Sequence, residues 1–326
     1  MSLISAQHLS KFYGDYAAIE GVSFSIEEGE IVGLLGLNGA GKSTILKILG
    51  SFLLPSGGDA SISGFSVEHD AEKVRSLIGY LPDTPPLYDE MRVIPYLRYV
   101  AKLKNVPDAR VEERVADVIQ KTNLEDVAWV QLGELSHGFR QRVGIAQALV
   151  HDPKVLILDE PINGLDPVQI VEMRDLILSL RGRHTVILSS HILSEITKTC
   201  DRILIIDQGK LVAEGNEADL ENKFAKNMRV NLEVKGGQGL EASLKSLAGV
   251  KSTKTHPVQN GMTRIEIECE GDLRSEIASK VIASGASLYE LGRDGDGLEA
   301  VFMKLVKTSE GKAQRGAGNK EIGGDL

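Results

Sequence analysis

Cysteine, tryptophan and long apolar runs are scarce in this sequence. The chain of 326 residues holds 2 cysteines and 1 tryptophan. The cysteines, Cys200 and Cys269, stand far apart, which argues against a disulfide framework or a Cys-x-x-Cys metal site and fits a reducing cytosol. No apolar run approaches the roughly 18 residues of a membrane-spanning helix. The start, Met1-Ser2-Leu3-Ile4, lacks the charged region and apolar core of a secretory signal. Any membrane channel is therefore expected to be a separate chain.

An excess of basic residues is also missing. Lys and Arg total 37 against 46 Asp and Glu, which leaves a net charge of −9. A surface that mainly neutralises nucleic-acid phosphates needs a basic surplus or stripe, so no nucleic-acid partner is expected. The hydrophobic share of 42% and the charged share of 25% are ordinary for a globular protein, and the length allows two domains.

A glycine-rich segment is the strongest signal in the sequence. It follows an apolar run at residues 31–35 and precedes a helix-like stretch at 45–49. Such glycines let backbone N–H groups turn toward a β-phosphate, while the helix N-terminus adds partial positive charge. The lysine then reaches the β/γ oxygens and the serine hydroxyl can ligate Mg²⁺. The pattern predicts a nucleoside triphosphate site made by Gly36, Leu37, Asn38, Gly39, Ala40, Gly41, Lys42, Ser43 and Thr44.

Two adjacent carboxylates follow a second apolar run. Residues 155–158 read Val-Leu-Ile-Leu, which is typical of a buried parallel strand, and Asp159 and Glu160 come directly after them. Alone, the pair would read as a solvated turn. Beside a phosphate-binding loop, Asp159 is placed to hold Mg²⁺ and Glu160 to orient or deprotonate the attacking water.

The segment between these two sites identifies a family. Residues 135–142 read Leu-Ser-His-Gly-Phe-Arg-Gln-Arg, which resembles the signature motif of ABC ATPases. Other family elements stand in order: Tyr13 in Lys-Phe-Tyr-Gly, Asn-Gly-Leu-Asp at 163–166, and His191 after a predicted strand at 185–188. Residues 2–215 are therefore similar to the ATP-binding subunit of an ABC transporter.

The resemblance implies roles for the matching residues. Tyr13 would stack on adenine, and Asp166 would join the nucleotide-binding set. His191 would contact the γ-phosphate and hold Glu160, so that the catalytic residues would be Glu160, His191 and Lys42. Mg²⁺ would be held by Ser43 and Asp159, with Asp83 facing it.

The signature motif further implies a second ATPase subunit. Ser136 can cap a helix that begins near Phe139 and leave N–H groups free for an anion. In this family that anion is ATP on the other subunit. Two subunits, identical or paralogous, would pair head to tail, with Ser136 and Gly138 of each completing the other's site.

Three departures from the family pattern qualify this picture. Asp83 stands where a glutamine is usual, His137 and Phe139 replace a glycine and a glutamine of the signature, and Ile162 replaces a Thr or Ser after Glu160-Pro161. Asp83 and the Gly-aromatic-Arg-Gln-Arg motif resemble those of ABC-2-type export ATPases, of the gliding-motility, drug or polysaccharide export type. Export is therefore favoured over import.

The expected fold class is α/β, with a P-loop ABC ATPase core. The core comprises a mostly parallel sheet with an antiparallel edge, and a helical subdomain at about 84–150. Parallel strands are predicted at 31–35, 155–158, 185–188 and 203–206, and the antiparallel edge at 3–8, 22–26 and 60–63. As the family implies, the helical subdomain and the Asp83 loop would receive transmembrane permease subunits.

A second, smaller domain is predicted after residue 219. The order strand, helix, strand, strand, helix, strand over 228–291 resembles a small α+β ferredoxin-like domain, followed by a helix at 298–306. No catalytic or metal constellation is visible there, so a structural or dimer-supporting module is favoured over a ligand sensor. The accessory domain would span 220–308, and 309–326 a disordered tail rich in Gly, Lys and Glu.

The expected function is Mg²⁺-dependent ATP hydrolysis in an ABC export system, on the cytoplasmic face of the membrane. Two alternatives stay open. One is a soluble ABC ATPase that acts mechanically in translation or repair, although such proteins usually fuse two ATPase halves or insert a long coiled coil. The other is a regulator that binds ATP without turnover, which the presence of Glu160 and His191 argues against.

Overall fold

A computed structural model describes residues 2–224, 228–237, 239–258 and 261–293 of the chain. The chain divides into two compact units, one ending at Gly215 and the other beginning at Asn216. The helix predicted at 298–306 and the tail predicted at 309–326 lie outside the described residues.

The first unit alternates strands and helices. In chain order they are β1 (Ser2–Tyr13), β2 (Tyr16–Glu27), β3 (Ile31–Leu35), α1 (Lys42–Leu49), β4 (Gly57–Ile62), β5 (Phe65–Ser66), α2 (Ala71–Leu77), β6 (Ile78–Leu81), α3 (Val93–Leu103), α4 (Asp108–Lys121), α5 (His137–Leu149), β7 (Val155–Leu158), α6 (Pro167–Ser179), β8 (Thr185–Ser190), α7 (Leu193–Thr199), β9 (Arg202–Asp207) and β10 (Lys210–Gly215).

The central sheet of this unit has six strands in the order β10-β9-β3-β8-β7-β6. The four predicted parallel strands are confirmed as neighbours, and β6 extends them on one side. The antiparallel edge is β10. The predicted strands near the N-terminus and at 60–63 also form, but they pair in a separate antiparallel sheet of order β2-β1-β4-β5.

Burial explains the composition of the central strands. Every residue of β3 and β7 is buried, because parallel strands in an α/β layer are covered on both faces. Each large apolar side chain buried this way stabilises the fold by about 1.5–3 kcal/mol. The parallel register pairs Leu35 with Ser190 and Leu158 with Leu188, so the carboxyl ends of β3, β7 and β8 meet at one edge.

The helical subdomain contains α3, α4 and α5, which all lie within residues 84–150. These helices pack on one another, and α5 also packs against β6. The buried Arg114 of α4 donates from Nε to Val150 O at 3.0 Å and from Nη2 to Leu149 O at 2.9 Å. These bonds satisfy carbonyls left open at the end of α5 and fix α4 to it.

The second unit has the predicted βαββαβ order after a first helix. Its elements are α8 (Glu217–Phe224), β11 (Met228–Lys235), α9 (Leu240–Lys245), β12 (Val250–Pro257), β13 (Met262–Cys269), α10 (Arg274–Ala283) and β14 (Ser287–Arg293). The antiparallel strands run in the order β12-β13-β11-β14, which is the ferredoxin-like topology. Alternate residues of β11 and β13, such as Leu232 and Ile267, pack under α9 and α10 in one core.

Among the helices in the described residues, none combines the length and apolarity needed to cross a membrane.

Candidate functional site

A cavity of about 540 Å³ opens where the carboxyl ends of the parallel strands meet. Most of the predicted phosphate-binding residues line it, namely Asn38, Gly39, Gly41, Lys42, Ser43 and Thr44, together with Leu37. Its remaining lining residues come from other elements: Tyr13, Tyr16, Ala18, Asp83, Glu160, Asn163 and His191.

The phosphate loop (residues 36–44) has a geometry that requires glycine at two points. Gly41 has φ 109°, in the left-handed region, and a Cβ there would lie 2.7 Å from Ala18 O. A Cβ on Gly36 would lie 2.4 Å from Ile206 O. The loop thus fits against its neighbours only without side chains at these positions, and α1 begins at Lys42 with no side-chain cap. Its N-terminal N–H groups and dipole favour a phosphate.

Lys42 lines the cavity and is only 5% exposed. Its Nζ donates to Gly36 O at 2.8 Å and to Leu37 O at 3.2 Å, and it forms an ion pair with Glu160 Oε1 at 3.2 Å. The two carbonyl oxygens accept hydrogen bonds from this ammonium group, while the Glu160 carboxylate balances its charge. A triphosphate would therefore take the place of the Glu160 carboxylate on Lys42.

Glu160 is held from three directions. Its Oε2 lies 3.0 Å from His191 Nδ1, and its backbone N–H donates to Ser189 Oγ at 2.8 Å. A carboxylate accepts only, so Nδ1 of His191 carries the proton. The backbone of Glu160 has φ 49°, a region that non-glycine residues rarely occupy and that is typical of strained functional positions.

Asp159 is buried beneath the phosphate loop at 4% exposure. Its Oδ1 accepts hydrogen bonds from Ser43 Oγ at 3.0 Å and from Ser189 Oγ at 2.7 Å. Ser43 and Asp159 are thus paired oxygen ligands of the kind that Mg²⁺ prefers. Within the described residues no group of three or more His, Cys, Asp or Glu could hold a metal alone.

Two exposed tyrosines stand at the rim of the cavity. Tyr13 and Tyr16 end β1 and begin β2, and they pair directly across the hairpin. Lys11 Nζ lies 5.5 Å from the centroid of the Tyr13 ring. Tyr16 is a lining residue that the motif comparison misses. The two-residue turn Gly14-Asp15 between two apolar-rich strands is the signal that could have placed it opposite Tyr13.

Asp83 also lines the cavity. Its backbone carbonyl accepts from Gln141 Nε2 at 3.1 Å, and its Oδ1 accepts from Asn163 Nδ2 at 3.4 Å. Asn163 is a second lining residue without a predicted contact role. Asp83 therefore contacts both the helix α5 and the loop that follows Glu160.

Comparison with known proteins identifies the family to which this chain belongs. The family model described as ABC transporter matches residues 19–163. The uncharacterized ABC transporter ATP-binding protein YxlF of Bacillus subtilis (strain 168) is 32% identical over 305 residues, which cover 93% of this chain and 99% of that protein. The chain belongs to the ABC transporter ATP-binding proteins. Its resemblance to this family, read from the motifs, is confirmed.

Two further similarities extend the comparison. The bacitracin transport ATP-binding protein BcrA of Enterococcus faecalis is 31% identical over 93% of this chain and 96% of its own length. A solved dimeric ATP-binding cassette in a post-hydrolysis state, bound to ADP and Pi, is 25% identical with a TM-score of 0.60, over 65% of this chain and 98% of that one. The protein is an ABC ATPase, and the hydrolysis of ATP coupled to transport is its activity.

The signature residues of the ABC ATPase lie outside its own cavity. Ser136 caps α5, its Oγ accepting from Phe139 N at 3.5 Å, as the sequence predicts. Gly138 is buried, and a Cβ there would lie 2.6 Å from the side chain of Gln169. Asp166 caps α6, its Oδ1 accepting from Val168 N at 3.0 Å and Gln169 N at 2.9 Å.

Two predicted residues of the phosphate loop, Gly36 and Ala40, are not among the lining residues of the cavity. Gly36 accepts a hydrogen bond from Lys42 Nζ through its carbonyl, and Ala40 donates its N–H to Leu37 O at 3.1 Å. Ile162, which replaces a hydroxyl residue, is buried at 6% exposure.

Proposed function

We propose that this ABC ATPase is the Mg²⁺-dependent ATP-hydrolysing subunit of an export system, which works as a dimer on separate transmembrane permease subunits at the cytoplasmic face of the membrane. The observation that carries the proposal is the Glu160 carboxylate, held between Lys42 and His191 beside the phosphate loop. A general base needs this combination of a fixed position and access to the site.

The residues divide the chemistry between them. N–H groups of the phosphate loop bind the phosphate oxygens. Lys42 releases the Glu160 carboxylate and binds the phosphate oxygens in its place. Glu160, once released from Lys42 and still held by His191, orients a water and accepts its proton. Ser43 and Asp159 would hold Mg²⁺, which when bound neutralises charge on the phosphate oxygens. Positioning and charge stabilisation then supply most of the rate enhancement.

The arrangement of α5 supports a dimer. Ser136 and Gly138 are not among the residues that line the nucleotide cavity of their own subunit. The capped N-terminus of α5 is nevertheless a helix end suited to an anion. A nucleotide on a second subunit would supply that anion. The similar solved cassette is itself dimeric, which supports a dimer here.

A second cavity supports docking on a membrane partner. It has a volume of about 480 Å³, and we call it the aromatic groove. Most of its lining is aromatic or aliphatic, and four of its large side chains are exposed: Phe52, Tyr88, Tyr99 and Leu103. An exposed apolar groove of this kind fits an amphipathic helical segment of a partner.

Adjacent residues connect the two cavities. Pro82 lines the aromatic groove and Asp83 lines the nucleotide cavity. A partner that moves Pro82 must therefore also move the neighbouring Asp83 backbone. This provides a short physical route from the permease to the nucleotide.

The direction of transport is proposed as export. Asp83 and the sequence Gly138-Phe139-Arg140-Gln141-Arg142 resemble the corresponding residues of ABC-2-type export ATPases. The similarity to the bacitracin transport protein BcrA runs over 93% of this chain, so it includes part of the second unit. A likeness over both units supports a drug-export class of permease more strongly than a match to the cassette alone.

The partner proposal is tested by purification of the tagged chain from native membranes in mild detergent. Tyr99→Glu places a charge in the aromatic groove, while Tyr289→Glu changes another exposed tyrosine, in the second unit. We expect multi-span membrane proteins with the parent and with Tyr289→Glu, and their loss with Tyr99→Glu. Recovery of ribosomes without membrane proteins would favour a soluble mechanical factor instead.

A further inference from the structure

The imidazole of His137 lies over the loop that follows the catalytic carboxylate, residues 160–166, which we call the catalytic loop. Its Nε2 is 3.0 Å from Asn163 O, and a Cβ added to Gly164 would lie 3.2 Å from the same nitrogen. A carbonyl oxygen accepts only, so Nε2 must carry the hydrogen. His137 therefore donates a hydrogen bond from the first residue of α5 to the catalytic loop.

Asn163 joins three parts of the site through three different groups. Its carbonyl accepts from His137, its N–H donates to Glu160 O at 3.1 Å, and its side-chain amide donates to Asp83 Oδ1 at 3.4 Å. A displacement of Asn163 thus reaches both Glu160 and Asp83 without a further intermediate.

The side chain at 137 decides whether the first turn of α5 holds this loop by a hydrogen bond. The family usually has glycine at this position, and glycine has no donor that could reach Asn163 O. A donor side chain at the next position, Gly138, could not replace that of His137, because a Cβ there would already lie 2.6 Å from the side chain of Gln169. The contact is therefore a specific consequence of the histidine in this chain.

We propose that His137 is a positioning residue for ATP hydrolysis. Its Nε2–H fixes the catalytic loop, and through Asn163 it fixes the backbone of Glu160. Resting on the proposed function, the same contact has a second consequence. Since the first turn of α5 serves the nucleotide of the other subunit, His137 transmits the occupation of that site to Glu160 of its own site.

The expected defect is in turnover rather than in nucleotide binding. His137 is not among the residues that line the nucleotide cavity of its own subunit, so the affinity of that site for ATP is retained. Loss of the Nε2–H leaves the catalytic loop with one neutral hydrogen bond fewer, which lowers kcat roughly three- to tenfold. The Hill coefficient for ATP should also fall toward one, because the link between the two sites is weakened.

Three variants separate the hydrogen bond from the bulk of the ring. His137→Ala removes both, His137→Phe keeps a ring without the donor, and His137→Gln keeps an N–H donor at a similar reach. We expect kcat to fall in the Ala and Phe variants and to recover in the Gln variant, with KM for ATP within about twofold and thermal unfolding unchanged. A merely structural role would not produce recovery by glutamine alone.

The inference is overturned if His137→Gln is as slow as His137→Ala, or if all three variants match the parent. Unchanged cooperativity in His137→Ala would remove the proposed link between subunits. The parent and Glu160→Gln are measured in the same assay. A parent without ATPase activity, or equal rates in the parent and in Glu160→Gln, would refute the proposed function. If the parent hydrolyses ATP and Glu160→Gln is slow, but the His137 variants match the parent, only this inference is refuted.

Discussion

Lys42 and Glu160 form a buried ion pair, with Nζ 3.2 Å from Oε1 and side chains that are 5% and 12% exposed. Burial makes the charge on each group costly unless it is paired. In the absence of phosphate the carboxylate therefore satisfies the ammonium. The same group that is proposed to activate water thus competes with the triphosphate for Lys42.

This competition predicts tighter nucleotide binding when the charge on Glu160 is removed. Glu160→Gln should bind a non-hydrolysable ATP analogue roughly three- to tenfold more tightly than the parent, a difference of about 1 kcal/mol. Glu112→Gln removes an exposed carboxylate of α4 and serves as the control for net charge. Titration calorimetry measures both, and weaker binding by Glu160→Gln would show that the carboxylate does not compete with the phosphates.

Asp83 is expected to strengthen the metal end of the site. An anionic oxygen near Mg²⁺, even through one water, interacts more strongly than a neutral amide oxygen. Asp83→Gln should raise the Mg²⁺ concentration needed for half-maximal hydrolysis, and Asp83→Ala should lower permease-stimulated turnover more than basal turnover. Asn163→Ala removes the amide contact to Asp83 but keeps the carbonyl that His137 contacts.

Steady-state ATPase assays over a Mg²⁺ series, with and without the membrane subunits, test the role of Asp83. If the curves of the parent and both Asp83 variants superimpose, Asp83 has neither a metal nor a coupling role.

The second unit is predicted to be dispensable for nucleotide binding. Every residue that lines the nucleotide cavity lies before Gly215, and the second unit has a hydrophobic core of its own. A chain that ends near residue 222 should bind a fluorescent ATP analogue with the affinity of the full chain, and any loss should fall on dimer lifetime or coupling. A folded truncation that fails to bind would place part of the site in the second unit.

The protonation of His151 is expected to lower the free energy of unfolding in mild acid. Burial, with the Lys104 charge as a second cause, lowers the pKa of His151 to about 4, while its hydrogen bond to Ile78 O opposes the shift. The folded pKa lies below the unfolded value near 6.5. The unfolded chain therefore binds the proton more readily between these values, so the contribution is complete above about pH 6.5 and is lost as pH falls toward 4. The expected loss is about 3 kcal/mol.

Denaturant unfolding at several pH values measures this effect. His151→Gln keeps a donor for Ile78 O but does not titrate, so its stability should fall less steeply below pH 6.5 than that of the parent. His69→Gln, at an exposed histidine, should follow the parent. Equal slopes for the parent and His151→Gln would contradict the assignment.

Short-range patterns predicted much of the molecule. The phosphate loop, the Asp159-Glu160 strand end, the Ser136 cap and the order of elements in the second unit each depend on residues close together in the sequence. Periodicity and cap chemistry determine such features locally. They therefore appear in the structure where the sequence indicates them.

Long-range contacts were not predictable in the same way. The pairing of Lys42 with Glu160, the contact of His137 with Asn163 and the membership of β6 in the parallel sheet all depend on strand order. Strand register and sheet membership are set by packing between distant segments, which a single sequence does not specify. For the same reason the strands near the N-terminus were predicted, but their separate sheet was not.

The most direct test of the central proposal is the rate of ATP hydrolysis by the purified chain with Mg²⁺, compared between the parent and Glu160→Gln. A positioned general base contributes roughly 10²- to 10⁴-fold, so the variant should be slower by that factor while it still binds ATP. Size-exclusion chromatography with ATP should then show the variant as an accumulated dimer, because closure occurs and hydrolysis does not release it. Hydrolysis by Glu160→Gln at the parent rate would contradict the role of Glu160 and the mechanism that depends on it.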